Sequence, residues 1–341
     1  MTLKLNLALQ GGGAHGAFTW GVLDRLLQEP DIEITGISGT SAGALNGAAL
    51  KAGLATGGAE GARENLEWLW KRIGAIDDSN LPAWFGLTQT RAISAALGNS
   101  PMFAMTDAWN NMFSPYSMPV ISNPLRALVE ELDFKRICAS VGPAFYVGAT
   151  NVRSGKARVF AGNEISADAI LASACLPTLY RAVEIEDPNT GRTEAYWDGG
   201  YTGNPPLFPL YDAELPDDIL VININPLERD AIPRTPQEIR NRINEISFNT
   251  SLLRELRAID FVSRLIDEGT LTEGRMKRLR VHMIADDALM NDLSVATKMM
   301  PIPAVLSRLK IAGQDAAGAF LAKHKADIGK RSSVDLRAMF S

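Results

Sequence analysis

The sequence is poor in histidine and cysteine, and those shortages exclude a good deal before any motif is read. Histidine occurs three times, at His15, His282 and His324, so the usual imidazole base of a hydrolase has few places to come from. The two cysteines, Cys138 and Cys175, cannot build a disulfide framework, and neither stands in a C-x-x-C or beside a histidine at ligand spacing. A structural zinc is therefore not expected. No window approaches 18 uninterrupted apolar residues, which argues against a membrane-spanning helix. A basic excess is also missing: the net charge is −5 and the pI near 5.4, so a nucleic-acid partner held through phosphates is not expected. The opening MTLKLNLALQGGG is broken by Lys4 and Asn6 and has no A-x-A cleavage site. That pattern is not a signal peptide and leads us to expect a cytoplasmic protein, with peripheral contact to lipid left open.

What is present is ample apolar material, 46% of 341 residues, enough for one large core or a core with an appendage. Leu3 to Leu9 reads as a strand, stops at three glycines, and gives way to Ala17, Phe18, Val22, Leu23, Leu26 and Leu27 at helical spacing. Ile32 to Ser38 is a second strand, followed by a small-residue helix from Ala42 to Gly53. This βαβα opening predicts an α/β fold of three layers, α/β/α, around a mainly parallel sheet. Strand character returns at 144–151, 157–160, 194–197 and 219–224, so the sheet is expected to occupy roughly the first 225 residues. Between them, about 56–124 form an insert rich in tryptophan, methionine and phenylalanine, readable either as a lid with an apolar inner face or as a satellite core. Beyond Pro236 an amphipathic helix carries Ile239, Ile243, Ile246, Leu253, Leu256, Ile259, Val262 and Ile266, and a strand at 279–284 and a helix at about 304–325 complete a mostly helical C-terminal extension. Its final basic stretch reads as a solvated face or, more sharply, as one drawn to anionic lipid.

Two glycine clusters carry the chemistry. Gly11-Gly12-Gly13-Ala14-His15-Gly16 satisfies G-x-G-x-x-G between a strand and a helix, the dinucleotide fingerprint, and Asp31 and Glu33 lie about 20 residues on. Those acids open the second strand, however, whereas a ribose-binding acid must close it. What closes it is Gly39-Thr40-Ser41-Ala42-Gly43, a G-x-S-x-G that places a serine on a sharp strand-to-helix turn. Both clusters should face one crevice beyond the carboxyl ends of the strands, where the first loop can present backbone N–H groups to a developing oxyanion.

No histidine is a convincing base for Ser41. His282 is expected in mid-strand, opposite the core face, and His324 on an exposed basic helix. His15 sits inside the glycine loop, where it is placed to touch substrate. A carboxylate within hydrogen-bonding reach can serve instead, and Asp198, ahead of Gly199-Gly200, is the candidate; burial would raise its pKa towards neutrality. Read alone, Asp-Gly-Gly is also an ordinary turn.

The ordered set Gly11 to Gly16, Gly39 to Gly43 and Asp198-Gly199-Gly200 resembles the patatin-like phospholipase family over about residues 5–212. Ala172 to Pro177 and Tyr201 to Pro205 are similar to its pattern as well. The resemblance implies a Ser-Asp dyad, with Ser41 as nucleophile, Asp198 as base and the amides of Gly11, Gly12, Gly13 and Ala14 as the oxyanion hole. It implies no metal and no cofactor, and a lipid ester as substrate. Many members carry Lys or Arg where this chain has His15, so charge assistance at that position would here depend on pH. Alternatives are another hydrophobic acyl ester (a polyester or thioester), a dinucleotide-binding protein, or a lipid-binding protein without activity. The remainder, 213–341, is expected to hold the last core strands and the helical extension.

Overall fold

The structure, a computed structural model, describes residues 2–74, 94, 96, 100, 114–117, 123–272 and 274–340. Its strands are β1 (Leu3–Leu9), β2 (Ile32–Thr40), β3 (Ala144–Asn151), β4 (Ala157–Ala161), β5 (Val183–Asp187), β6 (Arg192–Asp198), β7 (Asp218–Ile222) and β8 (Arg280–Ile284). The helices are α1 (Gly16–Leu26), α2 (Ala42–Gly74), α3 (Leu125–Glu130), α4 (Phe134–Ile137), α5 (Ala167–Ser173), α6 (Pro236–Asp267), α7 (Asp287–Asp292), α8 (Val295–Met299), α9 (Pro303–His324) and α10 (Leu336–Met339).

The strands form one sheet in the order β5-β6-β3-β2-β1-β7-β8, with β4 also on β3. Pairs among β3, β2, β1, β7 and β8 are parallel, and the β3–β4, β3–β6 and β5–β6 pairs are antiparallel. Alternation along each strand divides the core. Leu5, Leu7, Leu9, Ile37, Leu220 and Ile222 pack under α1, α2 and α9, while Ala8, Ile219, Val221 and Val281 pack under α6. The result is three layers, a mostly parallel sheet flanked by helices.

Four expectations change. The sheet does not end near residue 225: β8 joins it parallel to β7, because Val281 and Ile284 supply buried apolar faces that β7 alone leaves uncovered. The insert does not begin at 56, since α2 kinks at Gly57 and Gly58, both outside helical φ/ψ, and continues to Gly74. Trp70 in this second half is 1% exposed and donates from Nε1 to Asn46 Oδ1 at 2.9 Å, so it belongs to the main core. Most of the remaining aromatic and Met-rich stretch lies outside the described residues. The apolar positions of helix α6 divide between two settings: Leu252, Leu256 and Ile259 are buried on the sheet, whereas Ile239, Ile243 and Ile246 are exposed. Finally, His282 is fully buried, its Nε2 3.0 Å from Asp218 Oδ1 and its ring edge-on to Phe320 of α9. His324 is half-buried beside Asp327 rather than fully solvated.

Candidate active site

The strand-to-helix turn after β2 is built around a strained residue. Ser41 has φ of +54°, the one positive value at a non-glycine residue among those described. Such a conformation costs on the order of 1–3 kcal/mol and persists where its surroundings fix it. Here the Ser41 N–H donates to Ser173 Oγ at 2.9 Å, and the Ser173 hydroxyl donates to the Gly148 carbonyl at 2.6 Å, tying the turn to α5 and β3. A Cβ at Gly43 would lie 2.1 Å from the Leu9 carbonyl oxygen, so only glycine lets α2 begin this close to β1. Ser41 remains half-buried, at the N-terminus of α2, where the helix dipole favours negative charge.

Asp198 arrives from the other direction. β2 leaves β3 where Thr40 pairs with Gly148, and the antiparallel β6 reaches β3 one residue later, where Asp198 pairs with Ala149. This register brings the ends of β2 and β6 together, so that the Ser41 hydroxyl acts on the Asp198 carboxylate and lowers its pKa. The carboxylate is 2% exposed, and Oδ1 accepts the Gly200 N–H at 2.7 Å. Its backbone is held by Cys175, which accepts the Asp198 N–H at 2.8 Å, and by Thr150 Oγ1, which donates to the Asp198 carbonyl at 2.8 Å. Among the described residues it has no ion-pair partner. Burial pushes its pKa up to about 7, and the hydrogen bonds from Gly200 and Ser41 offset only part of that rise. On the far side of Gly200, Phe248 of α6 meets Tyr201 edge-on at 5.2 Å, an apolar wall beside Asp198.

The glycine loop lies against Ser41: a Cβ at Gly11 would fall 2.8 Å from both Ser41 Cβ and the Thr40 carbonyl oxygen. The loop's first peptides are clamped by two buried asparagines. Asn204 Oδ1 accepts the Gly11 N–H at 2.7 Å, and Asn225 Nδ2 donates to the Gly11 carbonyl at 2.8 Å. The Gly11 N–H is thus already committed, whereas the N–H groups of Gly12, Gly13 and Ala14 find no acceptor among the described residues. C=O and N–H of one peptide point oppositely, so fixing the Gly11 carbonyl on Asn225 turns the Gly12 N–H away from the asparagines. His15 is 1% exposed, and its Nε2 lies 2.9 Å from Thr297 Oγ1 of α8. Burial first, then Lys298 and Arg229, hold its pKa well below the usual value, so the ring is neutral. It braces the loop from behind, and the pH-dependent charge expected there does not arise.

Of the expected residues, the fold brings Ser41, Asp198 and the glycine loop to one end of the sheet. Asp31, the acid a dinucleotide site would need, opens β2 at the opposite end and pairs with Lys325 at 2.6 Å. Asn204, Asn225 and Ser173 were not singled out as functional. Asn204 stands in the YTGNP stretch, and Asn225 follows the apolar run of β7 with Asn223 two positions before it, so both left a signal. Among the described residues no group of three or more His, Cys, Asp and Glu side chains could hold a metal ion. No described helix is long and apolar enough to cross a membrane.

Residues 7–211 match the family described as Patatin-like phospholipase. No curated protein matches the chain. Among solved structures, VipD from Legionella pneumophila is similar at 16% identity with a TM-score of 0.44, over 95% of this chain and 67% of that one.

Proposed function

Because the chain belongs to the patatin-like phospholipase family, we propose that it hydrolyses carboxylic esters of lipids through an acyl-enzyme on Ser41. The observation that carries this reading is the Ser41–Asp198 pair: a strained serine beside a buried carboxylate whose pKa burial pushes up to about 7. Asp198 takes the hydroxyl proton as Ser41 Oγ attacks the ester carbonyl, then passes it to the departing alcohol. In the second half it takes a proton from water, whose oxygen attacks the acyl carbon; the acyl–Oγ bond breaks and Asp198 returns the proton to Ser41 Oγ as the acid leaves. A general base works best near the ambient pH, and this carboxylate is tuned to that range. The negative oxygen of each tetrahedral intermediate is received by the N–H groups of Gly12, Gly13 and Ala14, with the α2 dipole assisting.

A fluorophosphonate probe tests the reading. The expected result is one adduct, on Ser41, absent from Ser41→Ala and slowed about 10²–10⁴-fold in Asp198→Asn. A folded protein that forms no adduct, with or without lipid vesicles, would instead be a binding protein.

A further inference from the structure

We propose that Lys298, on α8 of the C-terminal region, is a positioning residue for the oxyanion loop. Its ammonium orients Asn225, and Asn225 orients the Gly11–Gly12 peptide whose N–H faces the reacting carbonyl; the inference rests on the hydrolase reading above.

The hydrogen bonds allow one arrangement. Lys298 Nζ donates to Asn225 Oδ1 at 2.9 Å. Both hydrogens of Asn225 Nδ2 are committed, to the Gly11 carbonyl at 2.8 Å and to Gln10 Oε1 at 3.1 Å. Gln10 Oε1 also accepts the backbone N–H of Ile224 at 2.9 Å and of Asn225 at 3.1 Å, so it cannot turn to become a donor without losing all three bonds. With the amide end of Asn225 fixed, its oxygen is left for a cation, and Lys298 supplies one. A chain running ammonium to amide to peptide carbonyl is charge-assisted at its origin and polarises each later bond, strengthening the Gly12 N–H as a donor.

The surroundings concentrate positive charge behind the loop. Lys298 is half-buried, and no carboxylate of the described residues lies within ion-pair distance of Nζ. Facing it are Glu245 of α6, Arg229 after β7, and the neutral His15. Glu245 is itself shared by Arg229 at 2.6 Å and Arg242 at 3.4 Å, so three cations surround one anion. An unbalanced cation taken out of water is costly unless negative charge develops where its field reaches. α8 also touches the loop directly: a Cβ at Gly13 would lie 2.3 Å from the Lys298 carbonyl oxygen. One segment therefore holds the loop by shape and by charge.

Three variants of the full chain separate the contributions. Lys298→Gln keeps a donor to Asn225 without the charge, Lys298→Met removes both, and Lys298→Arg keeps both. The readouts are kcat and KM for a p-nitrophenyl acyl ester from pH 6 to 10.5, with Ser41→Ala as control. We expect kcat to fall about 10–100-fold in Lys298→Met and somewhat less in Lys298→Gln, with KM within about twofold, because the loss is confined to the transition state. Lys298→Arg should restore kcat to within about threefold. Desolvation lowers the Lys298 pKa, so wild-type kcat should decline at alkaline pH as the ammonium loses its proton, and Lys298→Arg should remove that decline. A folded Lys298→Gln or Lys298→Met with wild-type kcat overturns the proposal, as does an alkaline limb unchanged in Lys298→Arg. If Lys298→Met does not fold, the wild-type and Lys298→Arg pH profiles decide alone. Turnover that persists in Ser41→Ala overturns the hydrolase reading, and the relay with it; turnover lost there but unchanged in Lys298→Gln overturns the relay only.

Discussion

Asp198 and Asp218 are buried to the same extent, each 2% exposed, at opposite ends of one sheet, yet their protonation is driven in opposite directions. Asp198 closes β6 and accepts one backbone N–H, from Gly200, with the Ser41 hydroxyl adding a smaller lowering effect, so burial dominates and its pKa rises to about 7. Asp218 opens β7 and meets burial with His282 at 3.0 Å, Arg280 at 2.9 Å and the Gly329 N–H at 2.8 Å, which hold it below the usual carboxylate range. Burial alone therefore does not mark a functional carboxylate. The number of partners left off does: a fully satisfied aspartate is a structural anchor, and an under-satisfied one can take a proton.

Removing the two carboxylates should break different things. The largest effect is on rate: Asp198→Asn should lower kcat about 10³–10⁴-fold, and Asp218→Asn should leave kcat per folded molecule within about threefold, counted by active-site titration. Next in size is stability. Asp218→Asn leaves Arg280 and His282 facing an uncharged group and should cost about 3–5 kcal/mol in chemical denaturation at pH 7. A depressed pKa contributes stability above the ordinary carboxylate range and loses it as pH falls through the folded value, so this difference should shrink in acid.

Asp198 has the opposite sign. Its raised pKa means that stability present below the ordinary carboxylate pKa is lost as pH rises through about 7. Asp198→Asn should consequently be more stable than the wild type at pH 8, by on the order of 1–4 kcal/mol, with the gap closing towards pH 4. The smallest effect belongs to a pair at the Asp218 end. Lys325 bridges Glu29 and Asp31, where Asp31 is largely exposed, and Lys325→Ala should change stability by no more than about 1 kcal/mol, less in high salt.

The difference between the two ends also sets what a sequence can reveal. At the Ser41 end the turns are forced by local geometry, so the glycines around Ser41 and the Asp-Gly-Gly turn are visible as short patterns. The βαβα opening is equally local and yielded the parallel sheet. Contacts that join distant segments left little trace: Lys298 lies 73 residues from Asn225, and Asn225 lies 214 from Gly11. Apolar periodicity found α6 but not its environment, because Ile239 and Leu256 look alike in sequence while the first is exposed and the second meets the sheet. His282 was placed opposite the core face by strand alternation, which fails when both faces of a central sheet are covered.

The most direct test of the central claim is the pH dependence of fluorophosphonate labelling at Ser41. If Asp198 is the base, the rate should rise sigmoidally with a midpoint near pH 7, following the carboxylate's own titration. Asp198→Asn should abolish the step. A rate that is flat from pH 5 to 8, or that retains its midpoint in Asp198→Asn, would contradict the account and assign the proton to another group.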